Sequence, residues 1–152
     1  MRTIEEEIQQ SKFKSKEQKV HVNIVYTGQY ISQKLESVIK KFDINLPQFN
    51  IMSIVRGQND TPINIKDIQR RMVHQMANTS RVVTALVSKG LAERTPSPND
   101  KREVTISLTK KGHFTLEQLD DLIPRFLVSQ FSHLSEEEIE QLNNILNKVR
   151  EY

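Results

Sequence analysis

Apolar positions recur three and four apart through most of this chain and alternate with polar ones in only one short stretch. Val20, Ile24, Ile31, Leu35, Val38, Ile39 and Phe42 mark a long amphipathic helix, with Gly28 as one weak point. Phe42-Asp43-Ile44-Asn45 breaks it. Pro47 then fits a first helical position, and Phe49, Ile51, Met52 and Val55 give an inward face through Arg56-Gly57. Gln58 to Pro62 is a turn cluster. Two short helices follow. Ile65, Ile68 and Met72 line the first; Met76, Val82, Val83 and Leu86 line the second, with Asn78, Arg81, Thr84, Ala85 and Ser88 on its opposite side. Lys89-Gly90 predicts its stop.

The alternating stretch comes next. Leu91 to Thr95 is short and extended, and Pro96-Ser97-Pro98-Asn99-Asp100 continues neither a helix nor a central strand, because two prolines remove two backbone donors. Glu103 to Leu108 alternates polar with apolar residues, the pattern of a half-buried strand. Ile63 and Ile65 are placed to add a brief third strand. Helix, turn, helix, hairpin is the order of a winged helix-turn-helix.

Beyond the hairpin, apolar residues from Phe114 to Phe131 predict a helix from about Thr109, which Pro124 should kink near Asp121 to Ile123. Ser135 with Glu138 is a capping box, and Ile139, Leu142, Ile145, Leu146 and Val149 form a last amphipathic helix. Met1 to Lys19 is polar and reads equally as a frayed helix or a disordered arm. The expected fold is mainly α (α+β): a 46–112 winged-helix lobe, a helical dimerisation region of 20–45 and 113–152, and a 1–19 polar extension.

Charge singles out the lobe. From Ile63 to His113 there are ten Lys and Arg against four Asp and Glu, a surplus of +6 in a chain of net charge +3, so the remainder carries −3. A basic reading surface in an otherwise slightly acidic chain points to double-stranded DNA. The alternative is a winged helix used for protein contacts alone, which would call for a wing and helix without Arg81, Lys101 and Arg102.

Composition removes other classes. The chain has no cysteine, hence no thiol redox sensor or Cys-ligated metal. No Gly-rich phosphate loop, Gly-x-Ser-x-Gly or scaffolded carboxylate pair suggests an enzyme. His21, His74, His113 and His133 lack the paired spacing of a metal site. No apolar run is long enough to span a membrane and the start is not that of a secretory signal, so a cytoplasmic protein without cofactors is expected.

Ser80-Arg81-Val82-Val83, Lys89-Gly90-Leu91-Ala92-Glu93-Arg94, Asp100-Lys101-Arg102 and Leu108-Thr109-Lys110-Lys111-Gly112 resemble, in order and spacing, the MarR family of bacterial transcription regulators. Leu46-Pro47-Gln48-Phe49 and Leu134-Ser135-Glu136-Glu137-Glu138 extend the resemblance to about Lys19 to Arg150. It implies a DNA-binding homodimer built from the terminal helices, acting as a repressor on a pseudo-palindromic operator. It carries DNA contact onto Ser80 and Arg81, and implies that Asp100 holds the wing by pairing with Arg94 or Arg102. It also implies a small aromatic or anionic effector, which places Tyr26 or Tyr30 at the mouth of a ligand cavity.

From the residues themselves, Gln75 and Asn78 have amides suited to adenine, Thr84 lies on the outward face, Lys66 is a candidate phosphate contact, and Asn99, Asp100, Lys101 and Arg102 form a wing tip aimed at the minor groove. Val73 and His74 leave the exact start of the reading helix open.

Overall fold

The computed structural model describes residues 2–59, 61–73, 78–97 and 103–151. Along the chain run α1 (Ile4–Glu7), α2 (Lys16–Ile39) with a 3-10 turn (Lys40–Phe42), α3 (Leu46–Arg56), β1 (Ile63–Asn64), α4 (Ile65–Arg71), α5 (Thr79–Ser88), β2 (Ala92–Pro96), β3 (Val104–Leu108), α6 (Lys110–Asp120), α7 (Leu122–Phe131) and α8 (Glu136–Val149).

Caps set most of these boundaries. Asn45 and Gln48 form a reciprocal capping box at α3, with Pro47 in the first turn, where a missing N–H costs nothing. Ser135 and Glu138 do the same at α8. The long helix starts earlier than the apolar pattern predicts: Ser15 accepts from the Gln18 N–H, so α2 opens at Lys16, inside the expected 1–19 extension. A hydrophilic turn capped by its own serine needs no apolar stripe to be helical. The remainder of that extension contains α1, with its own Thr3/Glu6 capping box, and Ile4 is buried.

The helix after the wing is interrupted rather than merely bent. α6 ends at Asp120 and α7 begins at Leu122, with Pro124 as its third residue. Proline has no N–H to donate back along the helix and its ring crowds the carbonyl four residues earlier, that of Asp120.

The sheet has the order β1-β3-β2 and is antiparallel throughout. Ile63 lies opposite Ile106 and Asn64 opposite Thr105, so the brief third strand forms, although Ile65 belongs to α4. Ala92 pairs with Leu108 and Pro96 with Val104. Burial departs from strict alternation: Val104 is exposed at the far end of the hairpin, whereas Thr105 is buried against Thr95, hydroxyl to hydroxyl at 3.1 Å.

The core joins α3, α4, α5, the sheet and α6. Ile39, Ile51, Met52, Ile68, Val83, Leu86, Ile106 and Leu116 have no exposed surface. Of α2, only Ile39 is buried; α7 and α8 bury no residue. The lobe therefore holds the core, and the long helices extend from it with their stripes open.

Candidate nucleic-acid interface

α4 is positioned by Ile68, which is buried, and by Asn64, whose Oδ1 accepts the Asp67 N–H at 2.8 Å. Its opposite side exposes Lys66, Arg70 and Arg71. Arg70 is engaged by Asp67 one turn away. Lys66 and Arg71 have no ion pair among the described residues.

α5 lies against this helix through Thr79, a buried residue whose hydroxyl donates to Met72 Sδ at 3.3 Å. Val83 and Leu86, a helical turn apart, anchor it to the core and turn Ser80, Arg81, Thr84 and Ser88 outward. Its first turn is capped by Asn78, whose Oδ1 accepts the Arg81 N–H at 3.1 Å. That answers where the reading helix starts. It also changes what Asn78 has to offer, because bidentate reading of adenine uses both the carbonyl and the amine of the amide, and this carbonyl holds the cap.

The C-terminus of α5 is closed by a Schellman motif. Gly90, at φ +68°, donates to Val87 O at 2.9 Å, and Leu91 donates to Leu86 O at 2.9 Å. Lys89 sits in the expected last turn, but its ammonium reaches Asp43. The cation on the helix-terminal carbonyl is Lys111, whose Nζ donates to Lys89 O at 2.9 Å, while Thr109 Oγ1 donates to Gly90 O at 2.7 Å. The reading helix is thus held from α6 on one side and from the α2–α3 junction on the other.

One residue of this face is absent from the sequence-predicted set. Arg94 of β2 donates from Nη2 to Thr84 Oγ1 at 2.7 Å, joining wing and reading helix. Ten residues and a Schellman turn separate the two, so no local spacing signals their meeting. Sequence had offered Arg94 only as a partner for Asp100. Gln75, Asn99, Asp100, Lys101 and Arg102 lie outside the described residues.

Lys66, Asn78, Ser80, Arg81 and Thr84 all belong to α4, α5 and its cap, and each is exposed. The Arg81 guanidinium makes no ion pair among the described residues. A short helix carrying uncommitted cations beside a two-stranded wing is suited to phosphates and base edges.

Tyr26 and Tyr30 lie elsewhere, on α2. They line a cleft of about 480 Å³ between α1, α2 and the α7–α8 turn, together with Arg2, Asn23 and His133. Tyr26 donates to Glu7 Oε2 at 2.8 Å, a bond that raises the phenol's pKa above its usual value. Lys34 Nζ stands 5.5 Å from the Tyr30 ring centroid. A second, more apolar cleft of about 570 Å³ separates α2 from α8, lined by Val20, Ile24, Ile31, Ile139, Leu142 and Leu146 among others. Among the described residues no cluster of three His, Asp or Glu could hold a metal, and no helix is long and apolar enough to cross a membrane.

Comparison with known proteins points the same way. The MarR family model matches residues 44–104. The HTH-type transcriptional regulator MgrA of Staphylococcus aureus is 30% identical over 122 residues, covering 80% of this chain and 78% of MgrA. The HTH-type transcriptional repressor IacR of Pseudomonas putida is 24% identical over 122 residues, covering 80% of this chain and 71% of IacR. Among solved structures, a mutant MarR from E. coli complexed with operator DNA superposes with a TM-score of 0.77 at 28% identity, over 84% of this chain and 91% of that one. The S. aureus MepR–DNA complex gives 0.74 at 25% identity, over 83% of this chain and 92% of that one.

Proposed function

The chain belongs to the MarR family of DNA-binding transcription regulators, which are not enzymes, and on that premise we propose that it is a cytoplasmic, homodimeric repressor that reads a pseudo-palindromic operator and is released by a small ligand. The observation that carries this reading is the outward face of α5, where Ser80, Arg81 and Thr84 stand exposed beside Lys66 of α4 and Arg94 of the wing.

In this reading α5 enters the major groove. Arg81 and Thr84 meet base edges, Ser80 and Lys66 meet phosphates, and Gln75 and Asn78 lead the helix in. The wing tip, Asn99 to Arg102, follows the adjacent minor groove, where Arg102 suits a narrow, A·T-rich step. One such helix covers only a few base pairs. A two-fold dimer sets two of them about 34 Å apart, one DNA turn, and so doubles the sequence read. The open stripes of α2 and α8 are the surface such a dimer would bury, which divides the chain into a 46–112 reading lobe and a 20–45 and 113–152 dimerisation region.

A small aromatic or anionic effector would act by favouring a dimer whose reading helices no longer match the groove spacing. The Tyr26–Tyr30 cleft is the candidate site. IacR is named a repressor, which supports the sign of the regulation proposed here. The test is a gel shift with duplex from upstream of the protein's own coding region. A retarded band that competitor DNA of unrelated sequence does not abolish is expected, and its loss on adding aromatic acids would identify the effector class. Failure to bind any duplex at low ionic strength would overturn the proposal.

A further inference from the structure

Thr84 is the central outward residue of the reading helix, and its hydroxyl is already occupied. Its single proton is donated to Ser80 O at 2.9 Å, and the same oxygen accepts from Arg94 Nη2 at 2.7 Å. A base edge meeting this side chain finds no donor. What the residue still offers is its γ-methyl and the hydroxyl's second lone pair, which can only accept.

A threonine in a helix divides between two χ1 rotamers, because either lets its oxygen reach a carbonyl three or four residues back. A charge-assisted bond from a guanidinium, stronger than a neutral one, selects between them. Arg94 is on a different element and touches α5 at this hydroxyl. We infer that Arg94 is a specificity-determining positioning residue, which locks Thr84 in the rotamer that presents its methyl, so that the helix selects thymine through the C5-methyl group at one base pair of each half-site. The inference rests on the reading that α5 enters the major groove. It assigns to a wing-strand arginine a role beyond phosphate binding.

Valine supplies the control. In a helix its branched side chain is held in one rotamer without help, so it presents methyl groups at fixed positions on this face without needing Arg94. Wild-type protein would first be used to select its site from random duplexes and to measure binding to every single-base variant of that site. Arg94→Ala is expected to reduce the preference for thymine at one position per half-site by about fivefold or more, the lower range for losing one base contact. Thr84→Val should keep the preference, and Arg94→Ala combined with Thr84→Val should recover it, while overall affinity stays reduced.

Uniform weakening of all duplexes by Arg94→Ala, with the thymine preference intact, would make Arg94 a phosphate contact and overturn the inference. So would a double variant no more selective than Arg94→Ala. If the wild type selects a site without a methyl-dependent thymine, the positioning role fails while the groove-reading premise stands. If the wild type binds no duplex, the premise itself fails. Arg94 is exposed, and thermal melting of each variant would register any loss of fold separately.

Discussion

Arg56 and Asp120 are joined by two hydrogen bonds, Nη1 to Oδ2 at 2.8 Å and Nη2 to Oδ1 at 2.7 Å. One residue ends α3 and the other ends α6, immediately before the interruption at Asp121. The pair therefore fastens the reading lobe to the point where the chain departs into α7. Both side chains are partly exposed, so the bond is worth no more than about 1 kcal/mol despite its bidentate geometry. Arg56→Ala should lower the melting temperature by about 2–4 °C. Asp120→Asn should do much the same, and the double variant should add little. A calorimetric cycle with fully additive effects would remove the coupling.

Gly112 makes a stricter demand. A Cβ at this position would lie 2.1 Å from Leu91 O, the same carbonyl that accepts the Thr109 N–H at 3.1 Å. The obstacle is backbone, and the neighbouring Thr109 and Lys111 hold the end of α5, so it cannot withdraw freely. Gly112→Ala should destabilise the fold by about 3 kcal/mol, at or above the usual cost of overpacking, and should weaken DNA binding by displacing the reading helix. Denaturant unfolding measures the first and a gel shift the second.

These two cases mark what could be read from sequence. Elements whose signals are local were legible: the Ser135 cap, the Gly90 stop, a disturbance of the helix at Pro124 and the strand ending at Leu108, whereas Asn45 read as part of a break rather than as a cap. The outward face of α5 followed from helical period alone. The ties between elements were not legible, because Arg56 meets Asp120, Lys111 meets Lys89 O and Arg94 meets Thr84 only after the lobe has closed. The start of α2 was misjudged for the opposite reason: its first turn buries nothing and is set by a cap. The same closure reassigned Lys89, which sequence placed on the helix end and the fold sends to Asp43.

Arg81 should carry a large share of the affinity for DNA. Its guanidinium is exposed on α5 and has no ion pair among the described residues, so none of those contacts opposes its meeting a duplex. Arg81→Ala is expected to weaken operator binding at least tenfold and to reduce the slope of log affinity against log salt by about one if the contact is to phosphate. Arg102→Ala should cost several-fold without altering the oligomeric state. A titration series from low to physiological salt distinguishes phosphate contact, which changes the slope, from base contact, which changes affinity at constant slope.

The N-terminal arm has its own pH window. Lys19 Nζ lies 2.6 Å from Glu5 Oε1, and that bond holds the Glu5 carboxyl below its ordinary pKa of 4.5. Its stabilisation is complete above that value and is lost as pH falls through the lowered one. At the other end, the hydrogen bond to Glu7 raises Tyr26 above its ordinary 10.0, so that contact holds in neutral solution and is lost as pH climbs past the raised value. Both contacts should be complete between the ordinary values of 4.5 and 10.0, and the arm should loosen only as pH falls below the first or climbs past the second. Nuclear magnetic resonance of the Tyr26 ring would follow it, and Lys19→Met should abolish the acid transition while leaving the alkaline one.

The dimer proposal makes the most direct demand on α8. Leu142 is 41% exposed and Ile145 58% exposed, yet both sit on the stripe that Ile139 and Val149 continue, and the helix buries nothing within its own chain. An isolated chain would leave this surface, and the facing cleft beside Val20 and Ile24, in water. Burying it against a second copy removes apolar area at about 25 cal/mol per Å², whereas one carboxylate on each side of a two-fold axis meets its own copy. Leu142→Glu should therefore produce a monomer with near-normal far-ultraviolet dichroism, because its own core loses no contact. That monomer should also bind the full operator far more weakly than a half-site predicts for the dimer, since the two reading helices are no longer linked. Sedimentation equilibrium decides the first point. If Leu142→Glu stays dimeric, the two-fold axis lies on another face of the chain.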